Sequence, residues 1–217
     1  MKMFKTVRNH KGFTLVEMAI VLVIIGIILG AVLKGQELIS NAKMKRLYNQ
    51  FYNQYREVAA ATYTYYDRYG KLPGDDNTAL ARGGIWGTAV NGDGNGIINA
   101  NAAMTTNYAC GAVPAGPPAG EMCGIWQHLR MANIISGTTT SGVNPTNAYG
   151  GAISAANATI GAAGSTVSGT WVAFQNIPND VARDLDAAYD DGVYNTGSIQ
   201  ASAVYTTTAL ISLYIRM

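Results

Sequence analysis

The stretch that decides the fold runs from Lys11 to Leu33 and reads KGFTLVEMAIVLVIIGIILGAVL. From Phe13 onward its only charged residue is Glu17. A nearly uncharged apolar run of about 20 residues is long enough to cross the hydrocarbon core of a bilayer as a helix. The sequence therefore predicts one membrane-spanning helix over residues 13–35.

The residues before this run set its predicted orientation. They carry four basic side chains and no acidic one: Lys2, Lys5, Arg8 and Lys11. Because basic residues are retained on the cytoplasmic side of a membrane, the N-terminus is expected to be cytoplasmic and the rest of the chain to cross the membrane. The predicted topology before any assembly is thus a single pass.

Glu17 is the anomaly of the apolar run. An ionisable residue in a membrane helix is costly, and it indicates a function whose partner must be named. No basic residue within the helix can pair with it. If the chain were cut between Gly12 and Phe13, the new amino group of Phe13 would lie one helical turn from Glu17, on the same face. The amine of a neighbouring subunit could serve equally well.

The segment GFTLVEMAIVLVIIGIILGAVL, behind its basic leader, resembles the leader junction and N-terminal helix of type IV pilins and of the pseudopilins of type II secretion. The resemblance implies that residues 1–12 are a leader, cleaved after Gly12 by a prepilin peptidase, and that the amine of Phe13 is then methylated. It also implies that Glu17 neutralises the Phe13 amine of an adjacent subunit in a filament core. The implied partners are further copies of the chain and an inner-membrane assembly platform.

Beyond Leu33 the helix is predicted to continue as an amphipathic half over residues 36–69. Apolar and aromatic residues recur there at spacings of three and four, and Gly70 and Pro73 indicate where the helix ends. Many pilins carry a kinking proline in this helix, whereas this chain has none before Pro73. The predicted fold is α+β and pilin-like, with the long helix packed on a C-terminal antiparallel sheet and residues 36–217 forming the globular domain.

The charge is divided unevenly along the 217 residues. Residues 1–71 hold 11 of the 15 basic and four of the 13 acidic residues, so residues 72–217 hold four basic against nine acidic. Nucleic-acid binding domains carry clustered Lys and Arg. The exported part therefore shows no evident nucleic-acid site.

Cys110 and Cys123 are the only cysteines, and they flank a loop rich in glycine and proline. An isolated pair in an exported chain predicts a disulfide, which would contribute about 2–4 kcal/mol. Two free thiols are the alternative. A metal site at this pair lacks partners, because His10 lies in the leader and His128 is the only other histidine.

Calcium is the only cofactor that the sequence suggests, and two loops are candidates. Residues 91–99 read NGDGNGIIN and place side-chain oxygens at Asp93 and Asn95, but Ala102 stands where an EF-hand has its bidentate glutamate. A plain turn explains the same pattern. Other carboxylates could complete a site in space: Asp75, Asp76 and Glu121.

The second calcium candidate is the DDG segment at Asp190 and Asp191. It follows an acidic stretch predicted to form a short helix, capped by Asn179 or Asp180. The inward face of that helix is predicted as Val181, Leu185 and Ala188. A solvated acidic helix without calcium is the alternative.

Three further elements are predicted. Residues 121–133 form a short helix in which His128 is a surface or core residue rather than a catalyst. Residues 131–179 contain no Lys, Arg, Asp or Glu, and they are expected to form short strands and long turns facing neighbours or solvent. Residues 203–215 form a final strand on the long helix.

The leading functional interpretation is a structural subunit, not an enzyme, of a type IV pilus, either major or minor. The alternative is a pseudopilin of a type II secretion system, and a second alternative is a membrane-anchored binding module. The uncharged segment favours the pilus, because such a surface would suit exposure along a filament. After assembly the subunit would be located in an extracellular pilus or a periplasmic pseudopilus.

Overall fold

The computed structural model describes residues 14–99, 110, 120–160, 167–206 and 209–217. Gly12 and Phe13 lie outside these residues. The chain divides into two compact units, Met1–Lys45 and Arg46–Met217.

The first unit contains the apolar part of helix α1, which spans Leu15–Tyr69. Within α1, Leu15–Ile39 is long and apolar enough to cross a membrane, and none of its residues is buried. It is the only such segment among the described ranges. A bare row of Leu, Ile and Val side chains is stable only where lipid or protein covers it, because exposed apolar area is unfavourable in water.

The second unit contains the C-terminal half of α1, whose inner face is confirmed as a stripe. Its buried residues, Phe51, Val58, Thr62 and Tyr65, have the spacing of one helix face. The helix ends at Tyr69. Gly70 follows with a φ of 65°, and its N–H donates to the carbonyl of Tyr66, which is the usual way for a helix to stop at glycine.

Four antiparallel strands form one sheet in the order β1-β2-β4-β3. Their bounds are β1 Ile153–Thr159, β2 Ser168–Pro178, β3 Ile199–Ala201 and β4 Leu210–Arg216. Within the described residues the other α-helices are α2, Glu121–Met131, and α3, Asn179–Tyr189. Two short 3-10 segments lie at Leu80–Arg82 and Gly84–Trp86.

The core of this unit lies between the helices and the sheet. Phe51 of α1 meets Phe174 of β2 edge-on, with ring centroids 5.1 Å apart. Tyr65 of α1 stacks on His128 of α2 at 5.9 Å. The long apolar helix, the further helices and the antiparallel sheet together confirm the α+β, pilin-like architecture.

The expected exposure of the uncharged segment is wrong for its strands. It supplies β1 and β2, and β2 lies between two other strands with Trp171 and Phe174 fully buried. A strand buried on both faces carries no charge and no clear alternation. Low charge therefore indicated burial here, not a solvent-facing surface.

The predicted details of α3 also need correction. Asn179 is its first residue, Pro178 occupies the N-cap position, and no side chain caps the helix. The buried face holds Ala182, Leu185 and Asp186, so of the predicted inward residues only Leu185 is buried. Asp186 can lie on the buried face because its carboxylate accepts a hydrogen bond from the hydroxyl of Tyr205 at 2.7 Å.

The last strand is shorter than predicted. It begins at Leu210, not at residue 203, and Leu210 itself is exposed. Residues 211–215 are all buried, which is the pattern of a strand covered on both faces.

Candidate functional site

The first turn of α1 holds Glu17 in a reciprocal hydrogen-bonded motif. One carboxylate oxygen, Oε2, accepts hydrogen bonds from the backbone N–H and from the hydroxyl of Thr14, both at 2.8 Å. The N–H of Glu17 donates back to Thr14 Oγ1 at 3.3 Å. This is a capping box, in which residues three apart satisfy each other's free helix N-terminal groups.

The capping box is a structural feature that the sequence interpretation missed. Its signal was present, because Thr14 and Glu17 have the T-x-x-E spacing immediately before an apolar run. The motif gives the Glu17 carboxylate a partner within its own chain. The pairing with the Phe13 amine stays a prediction, since Phe13 lies outside the described residues.

Cys110 and Cys123 lie at disulfide distance, in agreement with the prediction. Their sulfur atoms are 1.99 Å apart, their Cα atoms are 5.5 Å apart, and both residues are buried. Cys123 belongs to α2, and the N–H of Cys110 donates to Asn144 Oδ1 at 2.6 Å. The bridge therefore joins Cys110 to α2, and Asn144 holds the backbone of Cys110 from the segment that follows α2.

The structure brings Asp93 together with two of the carboxylates proposed to complete a calcium site. Asp75, Asp93 and Glu121, here called the first acidic cluster, have ligand oxygens within 4.8 Å of one another. Asp75 and Glu121 are buried, and Asp93 is exposed. Asp76 is not part of the cluster, because its carboxylate accepts hydrogen bonds from Tyr65 and Arg82.

Backbone amides of the 91–99 loop converge on the buried members of this cluster. The carboxylate of Asp75 accepts from Gly94, Asn95 and Gly96 at 2.8–3.0 Å. Glu121 accepts from the N–H groups of Asp93 and Asn99 at 2.9 and 2.8 Å. Burial raises the pKa of both Asp75 and Glu121.

This arrangement bears on the calcium prediction. A calcium loop directs oxygens at one point, whereas this loop directs N–H donors at two carboxylates. The side-chain oxygen of Asn95, one of the predicted ligands, accepts from the N–H of Ile97 at 2.8 Å. Hydrogen bonding alone thus accounts for the shape of the loop, and calcium binding here stays a prediction.

In the second candidate loop, backbone N–H groups again donate to a carboxylate. Asp186, Asp190 and Asp191, here called the second acidic cluster, have ligand oxygens within 4.8 Å of one another. Asp190 accepts from the N–H groups of Ser198 and Ile199, both at 2.7 Å. Burial, with the neighbouring carboxylates, raises the pKa of Asp186. Calcium binding at Asp190 and Asp191 also stays a prediction.

His128 is a buried structural residue. Its Nδ1 accepts from the N–H of Gly74 at 2.9 Å, so the ring proton is on Nε2, which donates to the carbonyl of Val90 at 2.9 Å. Burial lowers the pKa of His128 to about 4. The ring is therefore neutral at physiological pH and ties two loops to α2.

Residues 7–33 match a protein-family model described as the prokaryotic N-terminal methylation motif. This motif is typical of type IV pilins and pseudopilins, and it is a substrate signal for prepilin peptidase. Comparison with curated proteins and with solved structures gave no match. The motif and the α+β fold together support a type IV pilin-like or pseudopilin-like protein, a structural rather than a catalytic class. They also fit membrane anchoring of the chain before assembly.

Proposed function

We propose that this protein is a structural subunit, major or minor, of a type IV pilus. It is inserted in the inner membrane, cleaved between Gly12 and Phe13, methylated at Phe13 and assembled through its N-terminal helix. The observation that carries the proposal is the direct continuation of the methylation motif into the uncovered apolar helix Leu15–Ile39. Lipid covers this surface in the monomer, and helices of other copies cover it in the filament.

A pseudopilin of a type II secretion system is the second candidate, because the same motif is typical of both classes. The sequence argument for the pilus was the uncharged segment, and its strands are buried in the core. The choice therefore depends on an experiment. We expect surface filaments to be lost when the gene for this chain is deleted and to increase when the gene for a retraction ATPase is deleted. A secretion defect without loss of surface filaments would instead identify a pseudopilin.

Glu17 is proposed to act in assembly by pairing with the Phe13 amine of an adjacent subunit. The capping box offers a competing role, namely to start the helix within one chain. Three variants separate the two roles. Glu17→Gln keeps a side chain that can cap at this position but removes the charge. Thr14→Val removes the hydroxyl of the cap but keeps the charge. Glu17→Ala removes both the capping side chain and the charge.

We expect Glu17→Gln and Glu17→Ala to reduce filaments at least about tenfold, because either change leaves the neighbouring amine without a counter-charge in an apolar core. Thr14→Val should assemble nearly as well as the wild type. The measurement is the ratio of sheared filament subunit to membrane-held subunit. Intact mass checks that residues 1–12 are removed and a methyl group is added in every variant.

Normal filament yield from Glu17→Gln would refute the charge pairing and leave capping as the role of Glu17. An uncleaved, unmethylated chain in the wild type would refute the filament proposal. That second result would favour the remaining candidate, a binding module for which the helix is only a membrane anchor.

A further inference from the structure

The outer surface of α1 within the Arg46–Met217 unit divides into two stripes. One stripe is polar, and its exposed residues share one helix face: Gln50, Asn53, Glu57 and Arg68. The other, here called the tyrosine stripe, also has the spacing of one helix face: Tyr52, Ala59, Tyr63 and Tyr66. A surface helix carries polar residues on the side away from its core. The polar stripe fits that rule, whereas the tyrosine stripe indicates a partner.

The rings of the tyrosine stripe are openly accessible. Tyr63 is 62% exposed, Tyr66 is 49% exposed and Tyr52 is 40% exposed. Arg56 borders the stripe, and its guanidinium carbon lies over the Tyr52 ring at 5.9 Å. A contiguous exposed apolar surface with a polar rim is typical of a protein–protein interaction site.

A small hollow adjoins the stripe at Tyr63. Its volume is about 140 Å³, and its lining includes the apolar residues Leu72, Ile97 and Met217. Small-molecule sites have volumes of roughly 300 Å³ or more, so the hollow is too small for a typical ligand. It has room for one aliphatic side chain of a partner that packs on the stripe.

The same chain carries an apolar surface that suits the stripe. The segment Leu15–Ile39 presents bare Leu, Ile and Val side chains, and none of its residues is buried. Because this segment and the tyrosine stripe belong to one continuous helix, α1, a single copy cannot bring them together. A second copy can.

We propose that the tyrosine stripe and its hollow bind the apolar segment Leu15–Ile39 of a second copy of this chain. One aliphatic side chain of that segment occupies the hollow. The inference rests on the proposed filament, and it names the surface of the Arg46–Met217 unit that covers part of the bare helix. Tyrosine suits this role because its ring provides apolar contact area, while its hydroxyl keeps the stripe hydrated before assembly.

The contact joins two different surfaces, one from each copy. Such a heterologous contact leaves a free surface on each partner, so it produces an open polymer unless its rotation closes a ring. From Tyr52 to Tyr66 the stripe is about 21 Å long. It is therefore shorter than the 25-residue segment, and the rest of that segment stays available to the helices of further copies.

The variant Tyr63→Asp tests the contact, and Asn53→Asp is its matched control. Both changes place a carboxylate at an exposed position of the same helix, but Asn53 lies on the polar stripe. We expect Tyr63→Asp to lower the ratio of sheared filament subunit to membrane-held subunit at least about tenfold, because a charge would be buried against apolar side chains. Asn53→Asp and Tyr63→Phe should assemble as the wild type does. Normal filament yield from Tyr63→Asp would overturn the proposal.

A photo-cross-link identifies the occupant directly, and it does not depend on how Tyr63→Asp folds. Benzoylphenylalanine replaces Tyr63 in one strain and Asn53 in another, and cross-linked peptides from irradiated filaments are sequenced by mass spectrometry. We expect position 63 to cross-link to the segment Leu15–Ile39 of a second copy in filaments but not in membrane-held subunits, and position 53 not to reach that segment. Cross-linking of position 63 to another segment, to another protein or to nothing would overturn the proposal while leaving the filament itself established. A wild-type chain that forms no filaments would instead refute the proposed function.

Discussion

Acidification should destabilise the Arg46–Met217 unit through His128. The neutral ring accepts from Gly74 and donates to Val90, and burial lowers its pKa from 6.5 to about 4. The folded state therefore binds fewer protons than the unfolded state between pH 6.5 and about pH 4, so stability is lost as the pH falls through this window. From these two pKa values, the loss is about 2 kcal/mol by pH 5 and about 3 kcal/mol by pH 4.

Denaturant unfolding of the full chain in detergent, followed by tryptophan fluorescence, measures this loss. All three tryptophans are buried in the Arg46–Met217 unit, so the signal reports on that unit. The comparison is with His128→Gln. A glutamine amide offers an acceptor oxygen and an NH2 donor group, which can replace the acceptor and the donor of the neutral ring, and it does not titrate in this range. The difference in unfolding free energy between the two proteins should change by about 2 kcal/mol between pH 7.5 and pH 5.

Other groups cancel in this comparison. The raised pKa values of Asp75, Glu121 and Asp186 add stability as the pH falls, the opposite sign, and they do so in both proteins. The charges that act on the pKa of His128 are those of Asp76, which raises it, and Arg82, which lowers it. Burial raises the pKa of Asp76, but hydrogen bonds from Tyr65 and Arg82 outweigh burial and lower it. Asp76 therefore titrates below this pH window. Equal pH dependence in the two proteins would refute the reasoning.

Three further outcomes are expected. Cys123→Ser should lower the unfolding free energy by about 2–4 kcal/mol, and thiol titration of unreduced wild-type protein should find no free thiol if the pair is bridged. Calorimetry of the full chain with calcium tests both acidic clusters, with Asp93→Asn and Asp190→Asn assigning any heat to one cluster; no heat and no thermal shift would leave both loops as turns held by hydrogen bonds. Gly92→Ala should cost about 1–3 kcal/mol or more, because its Cβ would lie 2.3 Å from the carbonyl oxygen of Gly74. A Gly92→Ala protein as stable as the wild type would contradict this packing.

The sequence by itself determined the features that depend on local order along the chain. The apolar run, its basic leader and the Gly12, Phe13 and Glu17 spacing identify the methylation motif, because membrane insertion and cleavage both depend on short contiguous segments. The end of α1 near Gly70 was also predictable, since a helix stops where glycine adopts a positive φ. The missed capping box was also a local signal, because Thr14 and Glu17 are only three positions apart.

Only the tertiary structure decided which side chains meet across long separations. The sequence placed Asp75, Asp93 and Glu121 on a list of possible partners, but it did not show that loop N–H groups already satisfy two of them. It also predicted exposure for strands that are buried, because a sequence without charges suits either situation. A cavity between α1 and α2 joins residues about 70 positions apart. Its lining follows from packing, which no local pattern specifies.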